Sequence, residues 1–331
     1  MDTTHDIDAV VEALERKSQR AAQRRDFLRV ATGFAAGAGG ALALSACGGG
    51  AATSTSTAVA QTTGPSDADI LNFALQLEYL EANFYSYAAN GGAISSNLMT
   101  GTGTQGSVIA GQKAALTNPL VIAYANEIAQ DELKHVTFLR SALGSAAVAM
   151  PTLDVSATPT SAFSTAAQAA GLIPAGSTFN PYANDESFLL GAYIFEDVGV
   201  TAYHGAATLL ASKTYLSAAA GILAVEAYHA AIIRTTLYAM GLMNPPPPID
   251  PYKATGAISA LRSKLDGTNN DDQGIQGANP TISNIVDADS NALAYARTTG
   301  QVLNIVYGNP GVTTMGGFFP KGINGPINTS A

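Results

Sequence analysis

Cysteine is almost missing from this chain: Cys47 is the single one in 331 residues. That excludes an internal disulfide framework, a cysteine-type zinc site and a rubredoxin-like iron centre within the chain. Charge is scarce too, at 12% of residues, and beyond Cys47 acidic residues outnumber basic ones. The formal net charge of −9 falls entirely after Cys47, because residues 1–47 carry six Lys/Arg against six Asp/Glu. A nucleic-acid binder needs a basic footprint, so no nucleic-acid partner is expected. Hydrophobic residues make up 47% of the chain, ample for a buried core. Glutamate and histidine are rare enough for their positions to carry information. Beyond Cys47 there are seven Glu and three His.

The N-terminus reads as an address. Arg24 and Arg25, within Gln23-Arg-Arg-Asp-Phe-Leu-Arg29, resemble a twin-arginine export motif and precede a Gly/Ala-rich apolar run over 30–46. Leu44-Ser-Ala-Cys47 resembles a lipobox, in which Cys47 becomes the lipidated first residue. The run is short and weakly apolar for a membrane span. A cleaved signal over 1–47 and a flexible Gly/Ala/Ser/Thr tether over 48–65 are therefore expected, with the protein lipid-anchored in the periplasm or cell envelope. Twin-arginine export carries folded proteins, which suits one that takes up metal before export.

Four patterns follow in order: Glu78-x6-Tyr85, Glu132-x2-His135, Glu196-x6-Tyr203 and Glu226-x2-His229. The third repeats the first and the fourth repeats the second, with Arg140 and Arg234 also matched five residues after each His. A duplicated helix pair explains this and relates the halves by a pseudo-twofold axis. Glu78 shares a helical stripe with Leu71, Leu75, Ala82 and Tyr85; Glu132 and His135 share one with Ala125, Ile128 and Leu139. A carboxylate on such a stripe is buried, and burying it unpaired is costly.

Helices are predicted over about 67–90, 119–143, 184–211 and 215–243. Asn118-Pro119 opens the second, and Pro245 to Pro248 forbid continuation of the fourth. Residues 145–183, rich in Pro, Thr and Ala, form a long crossover, whereas the last two helices are joined by a short link. Residues 66–244 thus make an all-α bundle and 245–331 an irregular extension packed on it. The extension has short helical pieces predicted near 256–265 and 290–300, and Phe318 and Phe319 packing inward.

One Glu on each of two helices and a Glu-x-x-His on each of the other two is the ligand set of a ferritin-like four-helix bundle with two metals in its core. The chain resembles the ferritin-like superfamily. Leu71-Asn-Phe-Ala-Leu-Gln-Leu-Glu-Tyr-Leu-Glu-Ala-Asn-Phe-Tyr85, Asn304-Ile-Val-Tyr-Gly308 and Gly316-Gly-Phe-Phe-Pro-Lys-Gly-Ile-Asn-Gly325 are similar to its bacterial exported and plant desiccation-related branch. The resemblance covers nearly everything from Ser66 onward. It implies two iron or manganese ions held by Glu78, Glu132, His135, Glu196, Glu226 and His229, with Glu132 and Glu226 bridging and Glu78 and Glu196 terminal.

Glu81, one turn from Glu78, is an alternative ligand. Tyr85 and Tyr203 are either hydrogen-bond partners of ligand carboxylates or ordinary core residues. Arg140 and Arg234 either pair with buried acids or cap the bundle end. His204 reads as peripheral, Glu127 and Glu186 as solvated, and Asp131 and Lys134 as falling to the side of the second helix, as solvated residues would. Dioxygen, peroxide or Fe(II) would be the small partner, in redox chemistry of the ferroxidase, peroxidase or manganese-catalase kind, or in a purely stress-protective module. An oligomer is compatible with this reading. A closed storage cage is not expected of a chain with a tether and bulky extension.

Overall fold

Ser66 and Asp69 start the first helix by capping each other: the Ser66 hydroxyl accepts from Asp69 N–H while the Asp69 carboxylate accepts from Ser66 N–H. This helix, α1 (Asp67–Asn90), ends at Gly91, whose φ of 81° is the left-handed conformation that glycine adopts freely. The computed structural model describes residues 64–243, 247–268, 271–279 and 281–331. Arg24, Arg25, Cys47 and all but the last two residues of the expected tether lie outside the described residues.

Three more long helices complete a bundle: α2 (Pro119–Leu143), α4 (Asp185–Ala207) and α5 (Lys213–Gly241). Asn118, Asn184 and Ser212 cap them through their side chains. α1 packs along α2 and α4 along α5, while α1 also meets α4 and α2 meets α5. Nearly every residue of α1 from Ile70 to Tyr85 is buried, so this helix runs through the centre. By length and composition α5 is apolar enough to cross a bilayer, yet Glu226, His229 and Arg234 on it are buried within protein.

The crossover between α2 and α4 is more structured than its composition suggests. It contains α3 (Ala162–Ala169), started by Ser161, and a short strand β2 (Leu153–Asp154) that pairs in parallel with β1 (Val108–Ile109) in the loop after α1. This ribbon fastens the two long connections to each other.

In the extension, α6 (Pro251–Asp266) is longer than the predicted 256–265 because Asp250 caps it and Pro251 opens it. Of the piece predicted at 290–300 only the last two residues are helical; they begin α7 (Thr299–Tyr307), set by a Thr298/Gln301 reciprocal cap and ended by Gly308. α6 packs on α4 and α5, and α7 on α4. Phe318 stands edge-on to Phe163 and Phe195, with ring centroids 5.0 and 4.9 Å away. Phe319 is likewise buried.

Three fully buried arginines tie the extension to α4 and α5. Arg234 pairs with Asp197 at 2.9 Å, Arg262 with Asp197 at 2.9 Å and Asp272 at 2.6 Å, and Arg297 with Asp266 at 2.7 Å and Asp272 at 2.9 Å. Of the two matched arginines, only Arg234 therefore pairs with a buried acid. Arg140 instead donates to the Tyr79 hydroxyl and, at 2.6 Å, to the Thr100 carbonyl, anchoring the loop after α1.

Candidate metal centre

The four patterns meet in the middle of the bundle. His135 Nδ1 lies 3.2 Å from Glu78 Oε2, 3.4 Å from Glu132 Oε2 and 3.6 Å from Glu226 Oε1. On the other side, His229 Nδ1 lies 3.0 Å from Glu132 Oε1 and 3.5 Å from Glu196 Oε2. The two imidazole centroids are 6.4 Å apart. Ligands at ~2.1 Å from one ion lie roughly 3 Å from each other at right angles, so both sets have the span of a coordination shell. Two overlapping groups could each hold an ion: Glu78, Glu132, His135 and Glu226, and Glu132, Glu196, Glu226 and His229. Glu132 and Glu226 stand in both.

The donor atoms have nothing else to do. Glu78 Oε2, Glu132 Oε1, Glu196 Oε2, both Glu226 oxygens and both His229 ring nitrogens are buried and make no hydrogen bond. Unsatisfied buried polar atoms cost free energy, and this many around one point fit a pair of divalent cations. Oxygen-rich ligation with one imidazole per ion suits iron or manganese.

The matched tyrosines bond crosswise. Tyr85 on α1 donates to Glu196 on α4, and Tyr203 on α4 donates to Glu78 on α1. Each leaves one carboxylate oxygen free to face the centre, the supporting role outer partners of metal ligands perform. Glu81 is buried as well but belongs to neither group. It borders a small cavity of about 20 Å³ next to Gly199 and Tyr203. His204 lies away from the centre, its Nδ1 3.0 Å from the Tyr295 carbonyl oxygen.

Two residues depart from their sequence reading. Glu186 is buried, not solvated, because the extension folds over the start of α4 and brings Ile249 N–H to 3.5 Å from its Oε2. Asp131, read as lying to the side of α2, reaches to 3.7 Å from His229 Nε2. Its Oδ1 accepts from Lys134 one turn along its own helix at 2.8 Å, while its Oδ2 faces the partner helix. The nearby His229 imidazole, ahead of the opposing effect of burial, lowers Asp131 to about 2. The repeat is broken here, since Val225 occupies the matching place on α5.

Protonation of the metal-free site follows from burial and crowding. Burial foremost, then the Glu132 charge, pushes Glu78 up to about 7 against the pull of His135. Burial and four neighbouring carboxylates raise Glu226 far above its ordinary range, and burial with the Glu132 and Glu196 charges does the same to Glu81. Burial opposes the charged form of His135, but Glu78 and Glu132 outweigh it and push the imidazole up to about 11. His229 is raised in the same way by Glu196, Asp131 and Glu132.

The folded metal-free protein thus holds protons that the unfolded chain has released, from about pH 4.5 for Glu78 and about 6.5 for His135 upward. The sign is fixed: its stability should fall as pH rises from about 5 to 8. Metal must displace those protons, so its stabilising increment should grow over the same interval. Melting curves of chelated and metal-loaded protein across that range check both slopes.

Gly199 keeps the centre open. A Cβ there would fall well inside contact distance of Glu226 Oε2 and 3.5 Å from Glu81 Oε1. Gly199→Ala should therefore weaken metal binding by at least about tenfold without removing any ligand. Metal titration with helical content measured alongside separates this from unfolding.

Over residues 66–239 the chain matches the profile of the family described as ferritin-like domain. The chain belongs to that family. Among curated proteins, this ferritin-like chain is 31% identical over 277 residues to the ferritin-like catalase Nec2 of Nesocodon mauritianus, covering 79% of this chain and 85% of that one. It is 36% identical over 249 residues to the desiccation-related protein PCC13-62 of Craterostigma plantagineum, covering 72% and 76%. The ferritin-like assignment agrees with the helical bundle and with the buried carboxylate and histidine groups at its centre.

Proposed function

We propose that the chain is an exported di-metal carboxylate protein that disproportionates hydrogen peroxide. The observation that carries this reading is the pair of Glu/His groups sharing Glu132 and Glu226, with their donor atoms buried and unpartnered. Glu132 and Glu226, common to both groups, would hold both ions, Glu78 with His135 and Glu196 with His229 would complete each side, and Tyr85 and Tyr203 hold the Glu196 and Glu78 carboxylates in place. When bound, the metal pair supplies two-electron redox chemistry to the oxygen–oxygen bond. Glu81, kept protonated by burial beside the Glu/His groups, is suited to give its proton to one peroxide as it is reduced and to recover one from the next as it is oxidised.

Disproportionation suits the chain's composition. Two peroxides give two waters and one dioxygen, so the substrate is both oxidant and reductant. With Cys47 the sole cysteine, there is no cysteine-bound iron centre in the chain through which a separate electron donor would feed the site. The named catalase among its relatives supports the same reaction. The export and lipidation motifs at Arg24, Arg25 and Cys47 support a cell-envelope location.

Protein purified from its own envelope is expected to contain two iron or manganese ions per chain. It should release one dioxygen for every two peroxides consumed, without added reductant. Fully metal-loaded protein that leaves peroxide untouched would sink the reading, and turnover of Fe(II) with dioxygen instead would redirect it to a ferroxidase.

The desiccation-related relative favours a second reading, a stress-protective module stabilised by metal. Replacing His135 and His229 together by Ala would then lower thermal stability while leaving protection in the cell unchanged.

A further inference from the structure

Lined by α4, α5 and the loop carrying Ile285, Val286 and Asp287, and by none of the Glu/His residues of the metal centre, lies a cavity of about 410 Å³. Its walls are largely small and apolar, including Ala224, Ala227 and Ala231 of α5, and Tyr228 stands beside it with 71% of its surface exposed. The size and lining are those of small-molecule sites, which combine apolar walls with a few polar groups.

Those polar groups are unequal. Arg234, the one cation on the wall, has no donor to spare. Its five N–H groups go to the carbonyls of Ile285, Gly274 and Asn284, the Tyr193 hydroxyl and the Asp197 carboxylate. An anionic ligand would find no free N–H there. Asp287 is the opposite case. It makes no hydrogen bond, its Oδ1 is sealed from solvent, and no arginine pairs with it.

Charge points the same way. Asp197, Asp266, Asp271, Asp272 and Asp287 surround three arginines, Arg234, Arg262 and Arg297, all of whose ion pairs are with the first four. Crowding by Asp197 and Asp272, after burial, pushes Asp287 up to about 7. Asp197, Asp272 and Asp287 bring carboxylate oxygens within 4.8 Å of one another. A bare divalent ion is a poor fit, because Arg234 and Arg262 already occupy Asp197 Oδ2 and arginines hold both oxygens of Asp272.

We infer that this cavity binds a small organic cation, an ammonium group on an apolar or aromatic body, with Asp287 accepting the ammonium and the alanines and Tyr228 covering the body. The Tyr228 ring at the rim adds an aromatic face of the kind that attracts such cations. The site is separate from the metal centre and does not depend on the reaction proposed there.

The test uses the full, metal-loaded chain with 2-phenylethylammonium as probe and 3-phenylpropionate as its anionic counterpart, followed by calorimetric titration. The ammonium should bind at least about tenfold tighter than the carboxylate, the difference one charged hydrogen bond makes. Asp287→Asn should remove most of that preference, and Ala227→Phe, which fills the cavity, should abolish binding. Metal content and melting temperature should stay unchanged in both. Equal binding of the two probes, binding indifferent to Asp287→Asn, or no ammonium binding at all would overturn the inference. So would a concentration-dependent dimer broken by Tyr228→Glu, which would show a second copy covering the cavity.

Discussion

Glu226→Ala is expected to strip the centre of metal, taking bound ions from two per chain to less than one and peroxide turnover down by roughly a thousandfold or more. Glu226 stands in both ligand groups, so its loss damages both ion positions at once. The thermal consequence has opposite signs with and without metal. In the metal-free protein Glu226 is a buried carboxyl with neither oxygen hydrogen-bonded and its ionisation strongly opposed. Removing it should leave chelated protein as stable as before or more so, because the cost of burying it goes too. In the presence of metal the variant should lose the whole ligand-linked rise in melting temperature. Elemental analysis, an oxygen electrode and calorimetry on both forms give the three numbers. A variant that keeps two ions would remove Glu226 from the centre.

Arg262→Leu should act on the fold rather than on the chemistry. Arg262 is fully buried and holds Asp197, Asp272 and the Tyr193 carbonyl together, joining α4 to the extension. Truncating it leaves carboxylates in a dry interior with too few partners, a change worth about 3–5 kcal/mol. In a domain of this size that is a fall of roughly 10 °C in melting temperature. Arg262→Lys should recover only part, because an ammonium cannot fork between two carboxylates and a carbonyl. Denaturant melts of the three proteins distinguish the outcomes; an unchanged midpoint in Arg262→Leu would show the network to be ornamental to stability.

The bundle and the clustering of Glu and His at its centre were legible because their signals are local. Glu-x-x-His places two donors one helical turn apart, and the repeat at Glu196 and Tyr203 made Glu78 rather than Glu81 the member to expect at the centre, where the structure puts it. The cap residues Ser66, Asn118 and Asn184 likewise announce their helices within four residues.

What escaped depends on distant segments. Glu186 looks solvated at the start of α4 until Ile249, more than sixty residues later, closes over it. Asp131 looks like half of an exposed pair with Lys134, which it also is at 2.8 Å, until α5 presents His229 to it. The pairing of the buried arginines could not be foreseen from stripes, since Arg262 and Arg297 sit in short pieces of the extension and their partners are spread from Asp197 to Asp272. The position of α7 is a different kind of miss: Thr298, its cap, fell inside the stretch predicted helical, while Gln301 and the terminating Gly308 lay beyond it.

The crossed phenols give the molecule a reciprocity that neither helical hairpin has by itself. Tyr85 serves a carboxylate from the second half and Tyr203 one from the first, so either half, made as a separate polypeptide, would offer a hydroxyl with nothing to hold and an acid with nothing holding it. If the gene arose by fusion of two copies of one hairpin, its ancestor worked only by self-association. The present chain is then that ancient partnership made permanent, with the crossover as the seam.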